Sequence, residues 1–486
     1  MCDSLLTPPI KLYGKTIQLT GGCLKRGLSN PHVKRQGTGV KKLWNLLKKV
    51  SRLQLAFIIP YGRILIMKHN VKNENYAARV VEITKTVPLS NCDNVVHAII
   101  SGNRVIVSKD TKEGDKGLFF PLETQLSKEF LSNNNLYRHE NLNKDITKKG
   151  YFEENGRIRC VKFRNNVSEG FFIPLNSLSF TEFDINKLEL GDCFDTLNDI
   201  PICCKYVIVQ RTPGQPNNKK SKKEKSRLIE NQFRFHKDTA QLYNNLHQFK
   251  TGDVVCITPK YHGTSAIFSN VLCQKKLSIL ERIVKFFGID VKTTEYSDLY
   301  STRRVVKNDI RVRISEGFYK HDVWYDTWIK IKDLIPKGMT LYGEIVGYVG
   351  EESGTKFIQK DYDYGCESGK NRFLVYGITL TNEDGIVFEM NPQYVIDWCK
   401  SVGLETVFNN AVYLTITENT DLLEYVKNMP NMEKDCPYCV NKVPFEGYVV
   451  RKVCLDLEAY KVKANAFYER ETKLLDKGEV DMEEVN

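Results

Sequence analysis

The chain has 486 residues and a mass of 56.0 kDa, with 41% hydrophobic and 27% charged residues. Those proportions suit a soluble globular protein with length for two or three cores, and they exclude a disordered chain or a fibrous repeat. The formal net charge of +12 and a pI near 8.9 point to a polyanionic partner, most simply nucleic acid.

The first 76 residues form a basic extension with no assigned fold. Within it, Lys41 to Val50 reads as a short amphipathic helix, and an electrostatic tail for RNA is a better reading than a membrane-binding helix. The apolar stretch Leu53 to Met67 is interrupted by Gln54, Pro60, Gly62 and Arg63, so it does not span a bilayer and no membrane partner is expected. Fourteen cysteines lie scattered without a disulfide-like framework, and no secretory signal is visible. Reduced thiols in a cytoplasmic protein are expected, in the host cytoplasm if the gene is viral.

Residues 77–200 read as β structure. Val95 to Ile100, Arg104 to Val107 and Gly117 to Phe120 are short apolar runs between Gly, Asp and Asn turns. Gly156 to Arg164 and Ser168 to Ile173 read as two more. Several short strands in about a hundred residues predict a small barrel of the oligonucleotide-binding (OB) type. The cations Arg157, Arg159, Lys162 and Arg164 suit a phosphate backbone or, equally, a solvated edge. Residues 201–232 are a basic linker: within 211–227, Pro213, Gly214 and Pro216 accompany seven Lys or Arg and only Glu224 as an acid, too polar to bury a core.

Residues 233–486 mix strands with helical stretches such as Leu277 to Phe287. No regular βαβ rhythm is present, so the fold class is α+β rather than doubly wound. Here Lys260 ends the apolar run Val254 to Ile257 and opens Lys260-Tyr261-His262-Gly263-Thr264-Ser265. A lysine at a strand end before small residues suits an amine nucleophile facing a phosphate. The pattern is weak alone, since most such lysines are solvated. Five further segments follow in order: Tyr300 to Asn308 with Arg303 and Arg304; Tyr342-Gly343-Glu344; Arg372 to Ile378 with Phe373 and Tyr376; Glu446-Gly447; and Tyr460 to Lys463. Lys461 and Lys463, two apart, share one face of a strand.

This series resembles the covalent nucleotidyltransferases, the nucleic-acid ligases and mRNA-capping enzymes. The resemblance covers 233–470 and implies an ATP-grasp-like α+β domain. It makes Lys260 the nucleotide-accepting nucleophile, which must be deprotonated to attack the α-phosphorus of ATP. Lys461 and Lys463 would neutralise the α-phosphate. Glu344 would hold the ribose or a metal-bound water, and Glu446 would orient hydrated Mg²⁺ or Mn²⁺. Tyr376 would stack on adenine, with Phe373 as the alternative. Arg304, with Arg303 as runner-up, would contact ribose or an incoming phosphate. His262 and Gly263 complete the nucleotide-binding set.

Only 23 residues follow Lys463, where DNA ligases and capping enzymes carry a barrel; here the barrel comes first. That order is similar to RNA ligases of the Deinococcus and Naegleria type, and Asn91 to Val95, Lys112 to Asp115, Arg157 to Arg159 and Ser168 to Gly170 look like landmarks of that family. The expected activity is ATP-dependent joining of 3′-hydroxyl and 5′-phosphate ends in nicked or broken RNA, in RNA repair, with no protein partner evident. A capping guanylyltransferase, an ATP-dependent DNA ligase and an RNA-binding protein with a degenerate ligase domain are the alternatives.

One position departs from the pattern. His262 stands where the family carries an aspartate that holds the metal's water shell, and Asp361 or Asp363 is a substitute open to test. Cys436-Pro437-Tyr438-Cys439 has half of a zinc-site spacing, but no second CxxC follows, so structural thiols are expected.

Overall fold

The computed structural model describes residues 71–207, 226–236, 238–309, 321–350, 356–454 and 458–478. The basic N-terminal segment to residue 70, with its candidate helix at 41–50, and most of the Lys-rich linker lie outside them.

The first β region holds β1 (Ala78–Glu82), β2 (Lys85–Pro88), β3 (Val95–Ile100), β4 (Asn103–Ser108), β5 (Lys116–Pro121), β6 (Gly170–Pro174) and β7 (Cys193–Phe194). They form a four-stranded sheet in the order β7-β1-β5-β6 and a three-stranded sheet β2-β3-β4, rather than one continuous ladder. The hairpin between β3 and β4 turns on Ser101 and Gly102, both with positive φ (48° and 77°), the geometry whose twist matches two paired strands. Phe120, Phe130 and Phe194 anchor one core beneath these strands, and Ile83, Ile100 and Val105 anchor a second.

The expected strand at 156–164 shrinks to Val161–Phe163, and its cations do not make an open phosphate-binding edge. Arg157 is buried and forms a bidentate pair with Glu123 (2.9 and 2.8 Å). Arg157 and Arg159 also reach the two carboxylate oxygens of Asp476, each at 3.2 Å, and Lys162 pairs with Glu469 at 2.7 Å. Both acids lie on the last described helix, Asn465–Asp476. The basic segment therefore fastens the β region to the rest of the chain.

The second region has two largely antiparallel sheets. One orders β8 (Ala240–Gln241), β9 (Val254–Pro259), β15 (Val412–Thr415), β16 (Gly447–Lys452) and β17 (Ala459–Lys463) as β8-β17-β16-β9-β15. The other orders β10 (Thr264–Gln274), β11 (Thr294–Ser301), β12 (Met339–Gly347), β13 (Asn371–Thr381) and β14 (Val387–Glu389) as β11-β10-β12-β13-β14. One large core draws on both sheets, from Val255 and Val450 to Phe268, Leu341 and Ile378. Helices Val323–Ile331 and Pro392–Val402 add Trp324, Val395 and Cys399 to it. Helix and sheet are thus mixed, and among the described residues there is no run of parallel βαβ units. Among the described residues no helix is long and apolar enough to cross a membrane, and the described cysteines are free thiols.

Arg157 is the most consequential side chain at this junction. Its removal leaves Glu123, with a side chain only 12% exposed, buried without its cation. Arg157→Met is expected to lower unfolding free energy by about 3–5 kcal/mol, whereas adding Glu123→Gln to it recovers most of that loss. Denaturant melts of the four proteins in the cycle test this; additive losses would contradict it.

Candidate active site

Lys260 follows directly on β9, where its backbone N–H donates to the carbonyl of Gly447 at 2.8 Å. β9 pairs with β16 through Pro259↔Tyr448, which brings the amine against the residue just before β16. That residue is Glu446, only 2% exposed, and its carboxylate oxygen Oε1 lies 2.7 Å from Lys260 Nζ.

β16 pairs in turn with β17, Gly447 opposite Lys463 and Val449 opposite Lys461. Lys463 Nζ lies 3.6 Å from the same Glu446 oxygen and 3.1 Å from Glu471 Oε1. Burial works against charge on Lys463, but Glu471 and Glu446 override it and hold its amine well above the usual lysine range. The result is a row of alternating charge, Lys260, Glu446, Lys463 and Glu471.

Among the described residues no carboxylate is bonded to Lys461 in this way, and Asp238 acts on it only at longer range. Burial first, and then the neighbouring cations Lys463 and Lys260, push its amine down to about 7. Arg303 and Lys205 act in the same direction. The pocket lining carries six Lys or Arg against Glu123, Glu344 and Glu471, an excess of cations that suits a polyanion.

Lys260, His262, Arg303, Glu344, Tyr376, Lys461 and Lys463 all line one pocket. Glu344 reaches it from β12, opposite Ser265 of β10. The Tyr376 hydroxyl lies 3.3 Å from Ser265 Oγ and its ring meets His236 edge-on at 5.1 Å. Gly263 is held where a Cβ would come within 2.3 Å of the Ile345 carbonyl oxygen; only glycine lets the chain pass so close to β12.

Two expected residues fall elsewhere. Phe373 packs edge-on against Phe268 at 4.9 Å in the core and lies over Gly343; it does not line the pocket because its place in β13 faces the other side. Arg304, preferred from the sequence, is exposed. Its neighbour Arg303 turns inward and donates to Asp238 at 3.0 Å.

His262 sits in an aromatic box. Its backbone N–H donates to the Tyr364 hydroxyl at 2.6 Å, and its ring meets Tyr362 and Phe467 edge-on, each at 5.0 Å. Neither suggested substitute carboxylate reaches the pocket. Asp363 accepts the backbone N–H groups of Gly365, Val440 and Asn441 at 2.8–2.9 Å, and Asp361 pairs with Arg470 at 2.7 Å. Glu446 is beneath the lining, committed to two lysines, so Glu344 is the better placed of the two expected metal carboxylates. Among the described residues no group of three or more His, Cys, Asp or Glu could by itself hold a metal ion. That includes Cys436 and Cys439.

The sequence missed Lys205, Tyr206 and Glu123 of the β region, which also line the pocket. It missed Arg451, whose buried guanidinium donates to Thr258 Oγ1 at 2.8 Å, and Glu471. Arg451 alone had a signal, since it alternates inward along β16 with Val449.

A model of an OB-fold domain matches residues 77–175. No curated protein matches the chain by sequence. Solved structures of Naegleria gruberi RNA ligase are similar in fold. A mutant with ATP and Mn has a TM-score of 0.53 and 15% identity, over 82% of this chain and 99% of that one. A mutant with AMP and Mn gives 0.51 and 14%, over 81% and 98%. The ligase with PPi gives 0.51 and 14%, over 82% and 99%. At such identity the likeness establishes a shared fold: an OB-fold domain joined to a mixed α and β domain.

The depressed amine of Lys461 makes anion binding depend on pH. Below about pH 7 Lys461 is charged and its attraction is fully present; above that, free protein must take up a proton to bind, and the advantage shrinks. Calorimetry with inorganic triphosphate on wild type and Lys461→Gln is expected to show the affinity ratio falling as pH rises from 7, by up to about tenfold per pH unit. Comparing two proteins cancels the titration of the probe. A ratio constant with pH would contradict the assignment.

Proposed function

We propose that this chain is an ATP-dependent RNA ligase that works through a covalent lysyl-AMP, with the OB-fold domain and the nucleotidyltransferase domain acting on one substrate. The observation that carries the reading is the amine of Lys260, held at a strand end beside a buried carboxylate and in a pocket crowded with cations. The shared fold with an RNA ligase solved with ATP, AMP and Mn supports it.

In the first step Lys260 Nζ attacks the α-phosphorus of ATP. A phosphorus–nitrogen bond forms, the bond from the α-phosphorus to the bridging oxygen breaks, and pyrophosphate leaves with the electron pair. Glu446, 2.7 Å from the amine, is placed to take its proton. Lys461 and Lys463 stabilise the charge that builds on the phosphate oxygens. Arg303 orients the ribose or phosphates, and Tyr376 supports the adenine. In the second step an oxygen of the RNA 5′-phosphate displaces Lys260 from the AMP. In the third, a 3′-hydroxyl attacks that 5′-phosphate, loses its proton and releases AMP.

A hard divalent cation, Mg²⁺ or Mn²⁺, fits this donor set, because such ions bind through one or two carboxylates plus substrate phosphates and water. Glu344 would hold it from the pocket lining, and its charge would offset that of the phosphates. His262, boxed by two rings, contributes packing and the backbone N–H that fixes Tyr364 rather than the missing carboxylate.

Intact-mass measurement after incubation with ATP and Mg²⁺ is expected to show one added AMP on wild type and none on Lys260→Ala. Arg303→Ala should slow adduct formation by on the order of 100-fold, and Arg304→Ala by less than threefold. An adduct from GTP in place of ATP would favour a capping enzyme, and no adduct from either would favour an RNA-binding protein.

A further inference from the structure

The tip of the β10–β11 hairpin carries an apolar surface with no role in the reaction above. The two strands end their pairing at Gln274↔Thr294, and residues 275–293 leave the sheet from there, closed by the Lys275 N–H on the Thr293 carbonyl at 2.8 Å. The excursion is built around the helix Ile279–Phe286, none of whose residues is buried. The helix is nonetheless firmly started. Ser278 and Glu281 form a reciprocal capping box, and Lys275 bonds the Glu281 carboxylate.

Ile279, Leu280, Ile283, Phe286, Phe287 and Ile289 are between 48% and 86% exposed. At 100° per residue, Ile279, Leu280, Ile283, Val284 and Phe286 fall on one side of the helix, and Glu281, Arg282 and Lys285 on the other. Six large apolar side chains in eleven residues, two of them phenylalanines where the helix ends, is far more than isolated surface exposure. Once Lys275 and Glu281 are paired, Lys276, Arg282, Lys285 and Lys292 remain against Asp290 alone. The patch is therefore apolar and rimmed by positive charge.

That combination decides among occupants. A second copy using the same face would bring these cations against their own images, which is repulsive. The N-terminal 70 residues carry thirteen Lys or Arg and one acid, Asp3, so they do not complement it either. RNA would satisfy the charge but not Ile279, Leu280, Ile283 and Ile289, which cannot stack on bases as aromatic rings do. An anionic bilayer satisfies both, with headgroups for the lysines and acyl chains for the apolar side. We propose that the 275–293 tip is a peripheral docking element for an anionic lipid surface, with Phe286 and Phe287 inserted. The sequence expectation of no membrane partner rested on the want of a spanning segment, and a helix lying in the interface needs none.

The test uses the full chain and vesicles of phosphatidylcholine with or without phosphatidylserine. Co-sedimentation is expected with the serine lipid and to weaken with salt. Phe286→Ser/Phe287→Ser should reduce it at least tenfold without lowering the melting temperature. Arg282→Gln/Lys285→Gln should weaken the binding to anionic vesicles and reduce quenching of the Phe286→Trp fluorescence there, the remaining cations keeping part of the preference. Phe286→Trp should blue-shift on binding and be quenched by brominated acyl chains, a readout that electrostatic adhesion of the basic N-terminal segment would not give. Vesicle binding unchanged by the phenylalanine variant would overturn the proposal. So would an unquenched tryptophan, or a variant that instead loses self-association, RNA binding or an acidic protein partner.

Discussion

The row of charge from Lys260 through Glu446 and Lys463 to Glu471 is the constraint on which the site depends. Glu446 is buried and bears two ammonium groups on one oxygen, so Lys463 stays to compensate the carboxylate when Lys260 gives up its proton and turns to a phosphorus. The first three members come from three adjacent strands: Lys260 leaves β9, Glu446 precedes β16 and Lys463 ends β17. Backbone ladders therefore set the spacing of the charges, and the side chains need little entropy to hold it.

Glu471 ties that row to the remainder of the molecule. It stands on the helix Asn465–Asp476, whose Phe467 packs against both His262 and the Lys463 amine, at 5.0 and 4.7 Å. The same helix supplies Glu469 and Asp476 to the basic residues of the OB-fold domain. One short helix thus links the candidate nucleophile, the unusual histidine and the neighbouring domain.

Much of this was legible in the chain. Lys260 stood out because an apolar run ended on it, and Lys461 and Lys463 because a strand repeats every two residues. The short apolar runs at 95–100 and 104–107 became paired strands, and the helical stretch expected at 277–287 is the helix Ile279–Phe286. What failed was side-chain direction. Arg303 and Arg304 are neighbours in a loop where no period says which turns inward, and Tyr376 falls at a register shift in the β12–β13 ladder, so the two-residue period does not say whether it or Phe373 meets the pocket. The cations at 157–162 read as an open edge because their partners, Glu123, Glu469 and Asp476, lie up to about three hundred residues away in the chain. Lys205 and Glu471 had no local signal, since only the folded chain brings them to the pocket.

The central claim is that Lys260 is poised to leave Glu446 for a nucleotide phosphorus. A crystal structure with α,β-methylene-ATP, which cannot release pyrophosphate, tests it most directly. The account predicts Lys260 Nζ within about 3–3.5 Å of the α-phosphorus, in line with the bond to be broken, and Lys461 and Lys463 on the α-phosphate oxygens. A nucleotide bound elsewhere, or bound in the pocket with Lys260 still paired to Glu446 and turned away from the phosphorus, would contradict it.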